Sequence, residues 1–163
     1  IGTARGFSAV VLAACMEEHG VNGRVLTVDV LPNRSKFYWN TADDHLQGIR
    51  SRRDILLSIS ETLLDKIIFL RGTSREILRL LDLERVHVAF LDGEHKYTSL
   101  KFEIDFVASR QQHGDLMILD DYNKNQFVDV VELVENYLPT LSYTLNMWTV
   151  DKDRKVVCAV RCN

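Results

Sequence analysis

Val86-His-Val-Ala-Phe-Leu-Asp-Gly-Glu-His-Lys-Tyr97 decides the fold. Residues 86–91 form a mostly apolar run of strand length, and it stops at Asp92-Gly93, a turn pair. Strict polar alternation is missing, which marks a buried strand. A helix is expected over about Thr98–Arg110. The same unit then returns. Asp115-Leu-Met-Ile-Leu119 is a strand ending at Asp120-Asp121, followed by a helix over about Phe127–Tyr137, with Pro139 just beyond it.

Working upstream, Gly23–Asp29 is a β-branched strand closing on an acid. Lys66–Leu70 is another, ending at Arg71-Gly72-Thr73-Ser74. Helices are expected over Ser8–His19, with Ser8 as cap and Gly20 as stop, and over Ser51–Leu64, from apolar residues at 55, 56, 59, 63 and 64. Thr73 or Ser74 would cap a third, to about Leu81. Downstream, Ser142–Val150 and Lys155–Cys162 are strands joined by the polar turn Asp151-Lys-Asp-Arg. Strands alternating with helices give an α/β fold: a doubly wound, mostly parallel sheet with helices on both faces. The C-terminal hairpin adds one antiparallel strand.

A length of 163 residues fits one domain. The chain opens Ile1-Gly2-Thr3, without Met, in what reads as the last residues of a strand. The expectation is therefore a single domain over 1–163 that is N-terminally incomplete, its first strand largely absent.

Apolar residues at 46% and charged residues at 26% exclude a disordered chain. Twenty Lys+Arg against 23 Asp+Glu leave a net charge of −3, so no overall basic field draws nucleic acid or an anionic membrane. Cys15, Cys158 and Cys162 are an odd set with wide spacings. They read as reduced, buried thiols of a cytoplasmic protein and make no zinc pattern. The longest apolar run, Ala9–Met16, falls far short of the ~20 residues that span a bilayer. The expected partner is a small molecule, with no nucleic acid and no membrane; a homo-oligomer is left open.

Ligands of open parallel sheets bind outside the carboxyl ends of the strands. Those ends carry Gly2-Thr-Ala-Arg-Gly6, Asp29, Gly72-Thr73-Ser74, Asp92-Gly-Glu-His95 and Asp120-Asp121-Tyr122. The glycines before the first helix allow a tight turn and close approach of a ligand to backbone N–H groups. This turn is neither G-x-G-x-x-G, because Ala4 replaces the second glycine, nor a phosphate loop. Asp29 could accept hydrogen bonds from both hydroxyls of a ribose, or stand solvated at a strand end. Asp92, Asp120 and Asp121 would repel one another unless neutralised, and a hard divalent cation such as Mg²⁺ does that; alternatively they are turn and loop acids. His95 could take a proton beside such an ion, with Glu94 and Lys96 as competitors. His19 and His45 look like surface residues, His87 is expected to pack within its strand, and His113 belongs to a turn. The irregular residues 31–50, with Arg34, Lys36, Phe37, Tyr38, Trp39 and Arg50 and followed by Arg52 and Arg53, read as a lid or as a surface loop.

Together these motifs resemble the class I S-adenosylmethionine-dependent methyltransferases, with a Rossmann-like fold, over nearly the whole chain. Ile-Gly-Thr-Ala-Arg-Gly-Phe-Ser (1–8) looks like that family's first motif. The resemblance implies that Gly2, Thr3, Ala4, Gly6 and Ser8 border the methionine part of S-adenosylmethionine. It implies that Asp29 holds the ribose, and that Gly72, Thr73 and Ser74 approach the adenine, although the family more often has an acid where Thr73 stands. Leu-Asp-Gly-Glu-His-Lys-Tyr (91–97) and Ile-Leu-Asp-Asp-Tyr (118–122) are similar to the metal-dependent O-methyltransferase branch, which includes enzymes acting on macrolide sugars in antibiotic biosynthesis. That branch implies Asp92, Asp120 and Asp121 as ligands of a divalent metal, Asp92 also bordering the cofactor. It implies His95 as general base, and a hydroxylated small molecule as acceptor. The competing reading is a non-catalytic cofactor- or partner-binding module. A phosphoacceptor receiver domain needs its acidic pair on the first strand, and a nicotinamide dehydrogenase needs the missing fingerprint.

Overall fold

The computed structural model of the chain describes residues 1–39 and 48–162. The chain divides into two compact units: residues 2–73, and Ile1 together with the chain from Ser74 onward.

In the unit of residues 2–73, helix α1 (Phe7–Glu18) packs on strands β1 (Val25–Asp29) and β2 (Ile67–Arg71). The strands run parallel, with Val25 opposite Ile67 and Asp29 opposite Arg71. Ala9 and Ala13, one turn apart, are the buried residues of α1 and lie in one cluster with Val25 and Ile67. Their short side chains let the helix approach the strands. Ser8 does not cap α1: the helix opens directly after Gly6, which turns the chain at φ 95° with no side-chain cap. The helix expected over 51–64 is two short ones, α2 (Arg52–Leu56) and α3 (Glu61–Leu64). The apolar spacing persists through both, but between them the backbone bonds tighten to a three-residue span, Leu57 N–H to the Asp54 carbonyl at 3.4 Å and Ile59 N–H to the Leu56 carbonyl at 3.0 Å, and Ser60 starts the second helix. Ser51 and Asp54 form a reciprocal capping box at the start of α2. Around the proposed lid, Phe37 bridges Arg50, and the Trp39 indole N–H donates to the Arg50 carbonyl at 2.8 Å. Residues 40–47 of that segment, His45 among them, lie outside the described residues.

The second unit is built on a four-stranded sheet in the order β3 (Val88–Leu91), β4 (Leu116–Tyr122), β6 (Arg154–Arg161), β5 (Tyr143–Asp151). β3 and β4 are parallel, and β6 runs antiparallel to both β4 and β5. One strand thus opposes the rest, as the hairpin requires. The sheets are a parallel pair and a mixed four-stranded sheet, where one mostly parallel sheet was expected. The mixed order of the second follows from the hairpin, which lays β6 directly against β4.

Ala89, Leu91, Met117, Leu119, Val157 and Ala159 are in register across β3, β4 and β6 and line one buried face. Helix α4 (Ser74–Leu78) precedes β3. Helix α5 (Tyr97–Ala108) adds Leu100, Ile104, Val107 and Ala108, the spacing of one helical face, to the same core. Helix α6 (Val128–Glu132) passes into a π-helical turn (Leu133–Tyr137) and a 3-10 turn (Leu138–Leu141). Pro139 lies inside that last turn rather than beyond the helix, at its start, where no backbone N–H is needed. Ile1 donates to the Phe90 carbonyl at 2.7 Å and accepts from the Asp92 N–H at 3.1 Å, the bonding of a residue beside a parallel strand.

Two expectations fail on exposure. Cys15 is exposed, because it sits two residues, about 200°, around α1 from Ala13. His87 is exposed as well, since β3 begins only at Val88. Cys158 is buried and Cys162 half-buried, and all three thiols are free. Among the described residues, no helix is long and apolar enough to cross a membrane.

Candidate functional site

In the unit of residues 2–73, the glycine turn and the end of β1 meet. Gly2 donates to the Val28 carbonyl at 3.0 Å, and Gly6 to the Thr3 carbonyl at 2.7 Å. Ala4, at φ 43°, aims its N–H at Asp29 Oδ2 at 2.7 Å. Thr3 and Thr27 share a buried hydroxyl–hydroxyl bond of 2.7 Å, which fixes the turn to the strand. At the neighbouring strand end, Gly72 donates to the Asp29 carbonyl at 3.0 Å. Within this unit Thr3, Ala4, Asp29 and Gly72 are therefore joined, while Ser8 lies in the first turn of α1 and Thr73 is exposed.

Arg52 is the residue that the sequence did not reveal. Its side chain is only 3% exposed. Nη2 donates to Asp29 Oδ2 at 2.9 Å, Nε to the Ala4 carbonyl at 2.5 Å, and Nη1 to the Leu31 carbonyl at 3.3 Å and to Asn33 Oδ1. Burial lowers its pKa and the Asp29 charge opposes that shift. In a charge-rich helix start, Arg52 looked no different from Arg50 or Arg53. Leu31 N–H donates to Asp29 Oδ1 at 2.8 Å. Three of roughly four acceptor positions of the Asp29 carboxylate are thereby filled, leaving room for one further donor rather than two.

In the second unit the ends of β3 and β4 meet. Asp92, His95 and Asp121 can each place one ligand atom within 4.8 Å of the others. His95 Nε2 is 3.1 Å from Asp121 Oδ2 and 4.0 Å from Asp92 Oδ1. It is buried and meets no partner in hydrogen-bonding geometry. The His95 ring rests on Phe127 with centroids 4.4 Å apart. Burial, and then the charges of Asp120 and Asp121, push the Asp92 carboxyl up to about 6, partly offset by His95 and Arg154. The competing residues of the loop are occupied elsewhere: Lys96 pairs with Glu94, and Ser99 Oγ donates to Glu94 Oε2 at 2.7 Å.

Asp120 stands apart from that trio. Arg154, at the start of β6, donates from Nη2 to Asp120 Oδ2 and from Nε to Asp120 Oδ1 at 3.2 Å, and its Nε also lies 2.8 Å from Asp121 Oδ1 as an ion pair. Consecutive strand residues normally point to opposite faces. Here β4 carries a bulge: Leu119 pairs with Val157 and Tyr122 with Lys155, so residues 120 and 121 face only Val156. Asp121 takes φ 57° inside it. The bulge re-aims one acid, and both reach the same guanidinium. The hairpin thus brings Arg154 to the acidic pair, which no periodicity in the sequence could have shown.

What the two strand-end clusters can do chemically is distinct. The first offers backbone donors, a tight glycine turn and a single carboxylate position to a polar ligand. The second offers hard oxygen donors and a proton acceptor to a cation and a hydroxyl.

Solved structures of similar fold include the O-methyltransferase NovP, 20% identical over 99% of this chain and 70% of that one, with a TM-score of 0.65. They include an O-methyltransferase from Bacillus cereus in complex with SAH, 18% identical over 98% of this chain and 71% of that one, with a TM-score of 0.63. A precorrin-6y C5,15-methyltransferase from Geobacter metallireducens is 16% identical over 99% of this chain and 78% of that one, with a TM-score of 0.65. At these identities the likeness is one of fold. No curated protein matches the chain in sequence. A family model for a methyltransferase domain matches residues 1–122, from the glycine turn through both acidic strand ends. The chain belongs to that family of methyltransferase domains.

Proposed function

We propose that this chain is an S-adenosylmethionine-dependent O-methyltransferase acting on a hydroxyl of a small molecule, a sugar or natural product, with help from a divalent cation, Mg²⁺ first. The observation that carries this reading is the convergence of Asp92, His95 and Asp121 at two strand ends. The donor set suits such an ion, with two carboxylates of which one is pushed toward neutrality by burial and then by its acidic neighbours. Asp92 and Asp121 would hold the ion, with Asp120 behind them. Bound there, it would supply Lewis acidity to an acceptor hydroxyl. S-adenosylmethionine would supply the methyl group as a sulfonium.

The chain's own residues do the rest. His95 takes the acceptor's proton at Nε2, the buried nitrogen without a hydrogen-bond partner. Phe127 holds the imidazole plane, and Asp121, 3.1 Å away, steadies the imidazolium once formed. The Gly2–Gly6 turn offers backbone to the cofactor, and the remaining acceptor position of Asp29 takes one ribose hydroxyl. Gly72, Thr73 and Ser74 border the adenine.

Transfer of labelled methyl from S-adenosylmethionine to a panel of polyhydroxylated small molecules, with Mg²⁺ or with excess EDTA, tests the proposal. Mg²⁺-dependent labelling of a hydroxyl supports it. Labelling undiminished in EDTA removes the metal and keeps the methyltransferase. A chain that neither binds S-adenosylhomocysteine nor labels any acceptor is the non-catalytic module.

A further inference from the structure

We propose that Arg154 is a built-in counter-cation that withholds Asp120 from the divalent ion and so sets how tightly the strand-end cluster binds it. The inference rests on the metal reading above and concerns this chain's own residue. Three observations lead to it. Asp120 is buried at 8% exposure, and both of its oxygens face the Arg154 guanidinium. The group of side chains able to converge on one ion holds Asp92, His95 and Asp121 but not Asp120. And the same Nε that reaches Asp120 reaches Asp121 Oδ1, leaving Asp121 Oδ2 turned to His95.

Arg154 therefore divides the acidic pair. One carboxylate serves as an anchor for the hairpin, and the other keeps a single oxygen for the ion. A fixed guanidinium is always charged and presents a fork suited to this bridging, which a flexible ammonium does not reproduce. Affinity for a hard cation rises with the number of carboxylates that can reach it. With Arg154 in place that number is two instead of three, and a positive charge stands behind the site. The consequence is an ion held loosely enough to exchange.

Mn²⁺, titrated into the full chain and followed by electron paramagnetic resonance and by calorimetry, tests this without any turnover. Arg154→Gln frees the Asp120 carboxylate and is expected to bind Mn²⁺ about tenfold more tightly, the order of effect of one added carboxylate ligand. The double variant Asp120→Asn with Arg154→Gln removes the freed carboxylate and is expected to return to near the original affinity. Arg154→Gln binding no more tightly, or the double variant binding as tightly as Arg154→Gln, overturns the inference while leaving the cation site standing. Should none of the proteins bind Mn²⁺, the cation site itself fails, and this inference with it. Loss of Arg154 also leaves a buried charge, so the melting temperature is read in parallel. A larger Mn²⁺-induced rise for Arg154→Gln than for the parent supports the proposal. An Arg154→Gln chain still unfolded at saturating Mn²⁺, beside a folded double variant, contradicts it.

Discussion

His95 Nε2 lies 3.1 Å from Asp121 Oδ2 without making a hydrogen bond to it. An imidazole nitrogen held beside a carboxylate, buried and not committed to a partner, is placed to receive a proton. Replacing His95 by Ala is expected to lower methyl transfer by about 10²–10⁴-fold, the usual worth of a general base. Binding of S-adenosylhomocysteine is expected to stay unchanged, as calorimetry would show. A variant that loses both together points to a structural role instead.

The crowding around Asp92 has a consequence for stability. Its carboxyl titrates at about 6 in the folded chain, above the ordinary Asp value. The folded state therefore holds this proton more tightly than the unfolded state. The contribution is fully present below about pH 4 and is lost as pH rises through 6. Asp92→Asn is expected to be more stable than the parent by ~1–2 kcal/mol at pH 7.5 in EDTA, after allowing for solvent screening, and equal to it at pH 4. Urea unfolding at both pH values checks this. A variant less stable than the parent at pH 7.5 runs against it.

Arg52 and Asp29 form an ion pair whose side chains are 3% and 10% exposed. Removing one partner of a buried pair strands the other charge. Arg52→Met is expected to cost about 3 kcal/mol, visible as a lower urea midpoint. Because the same guanidinium holds the Ala4 carbonyl and Asn33, affinity for S-adenosylhomocysteine should fall too. A variant that keeps both stability and affinity would show the pair to be incidental.

Gly6 stands at φ 95°, and a Cβ added there would meet Leu56 Cδ2 at 3.3 Å. Gly6→Ala is expected to lose ~1–2 kcal/mol from the backbone conformation alone. The test is its melting temperature against that of Gly20→Ala. Gly20 also has positive φ, but nothing lies within 4 Å of its added Cβ. A Gly6 variant no worse than the Gly20 one would show that Leu56 gives way freely.

Much of this was legible in the residues. Apolar runs ending in acids marked β1, β3 and β4, an apolar run ending at Arg71-Gly72 marked β2, and the polar Asp151-Lys-Asp-Arg turn marked the hairpin, because burial imposes those patterns locally. The carboxyl-end rule then brought out Asp29, Asp92, His95 and Asp121. What stayed hidden was of another kind. Arg52 and Arg154 act through contacts 23 and 34 residues away, and a surface arginine has the same sequence signature as a buried one. The bulge at Asp120-Asp121 depends on the register of β4 against β6, which no reading of β4 alone contains. The break between α2 and α3 lies where backbone bonds tighten to a three-residue span at Leu57 and Ile59 inside an otherwise helical spacing.

The most direct measurement is anomalous diffraction at the manganese edge from crystals grown with S-adenosylhomocysteine and Mn²⁺. The proposed mechanism predicts one anomalous peak within coordination distance of Asp92 and Asp121, with His95 beside it and Arg154 still on Asp120. Bound S-adenosylhomocysteine with no peak at those carboxylates would contradict it.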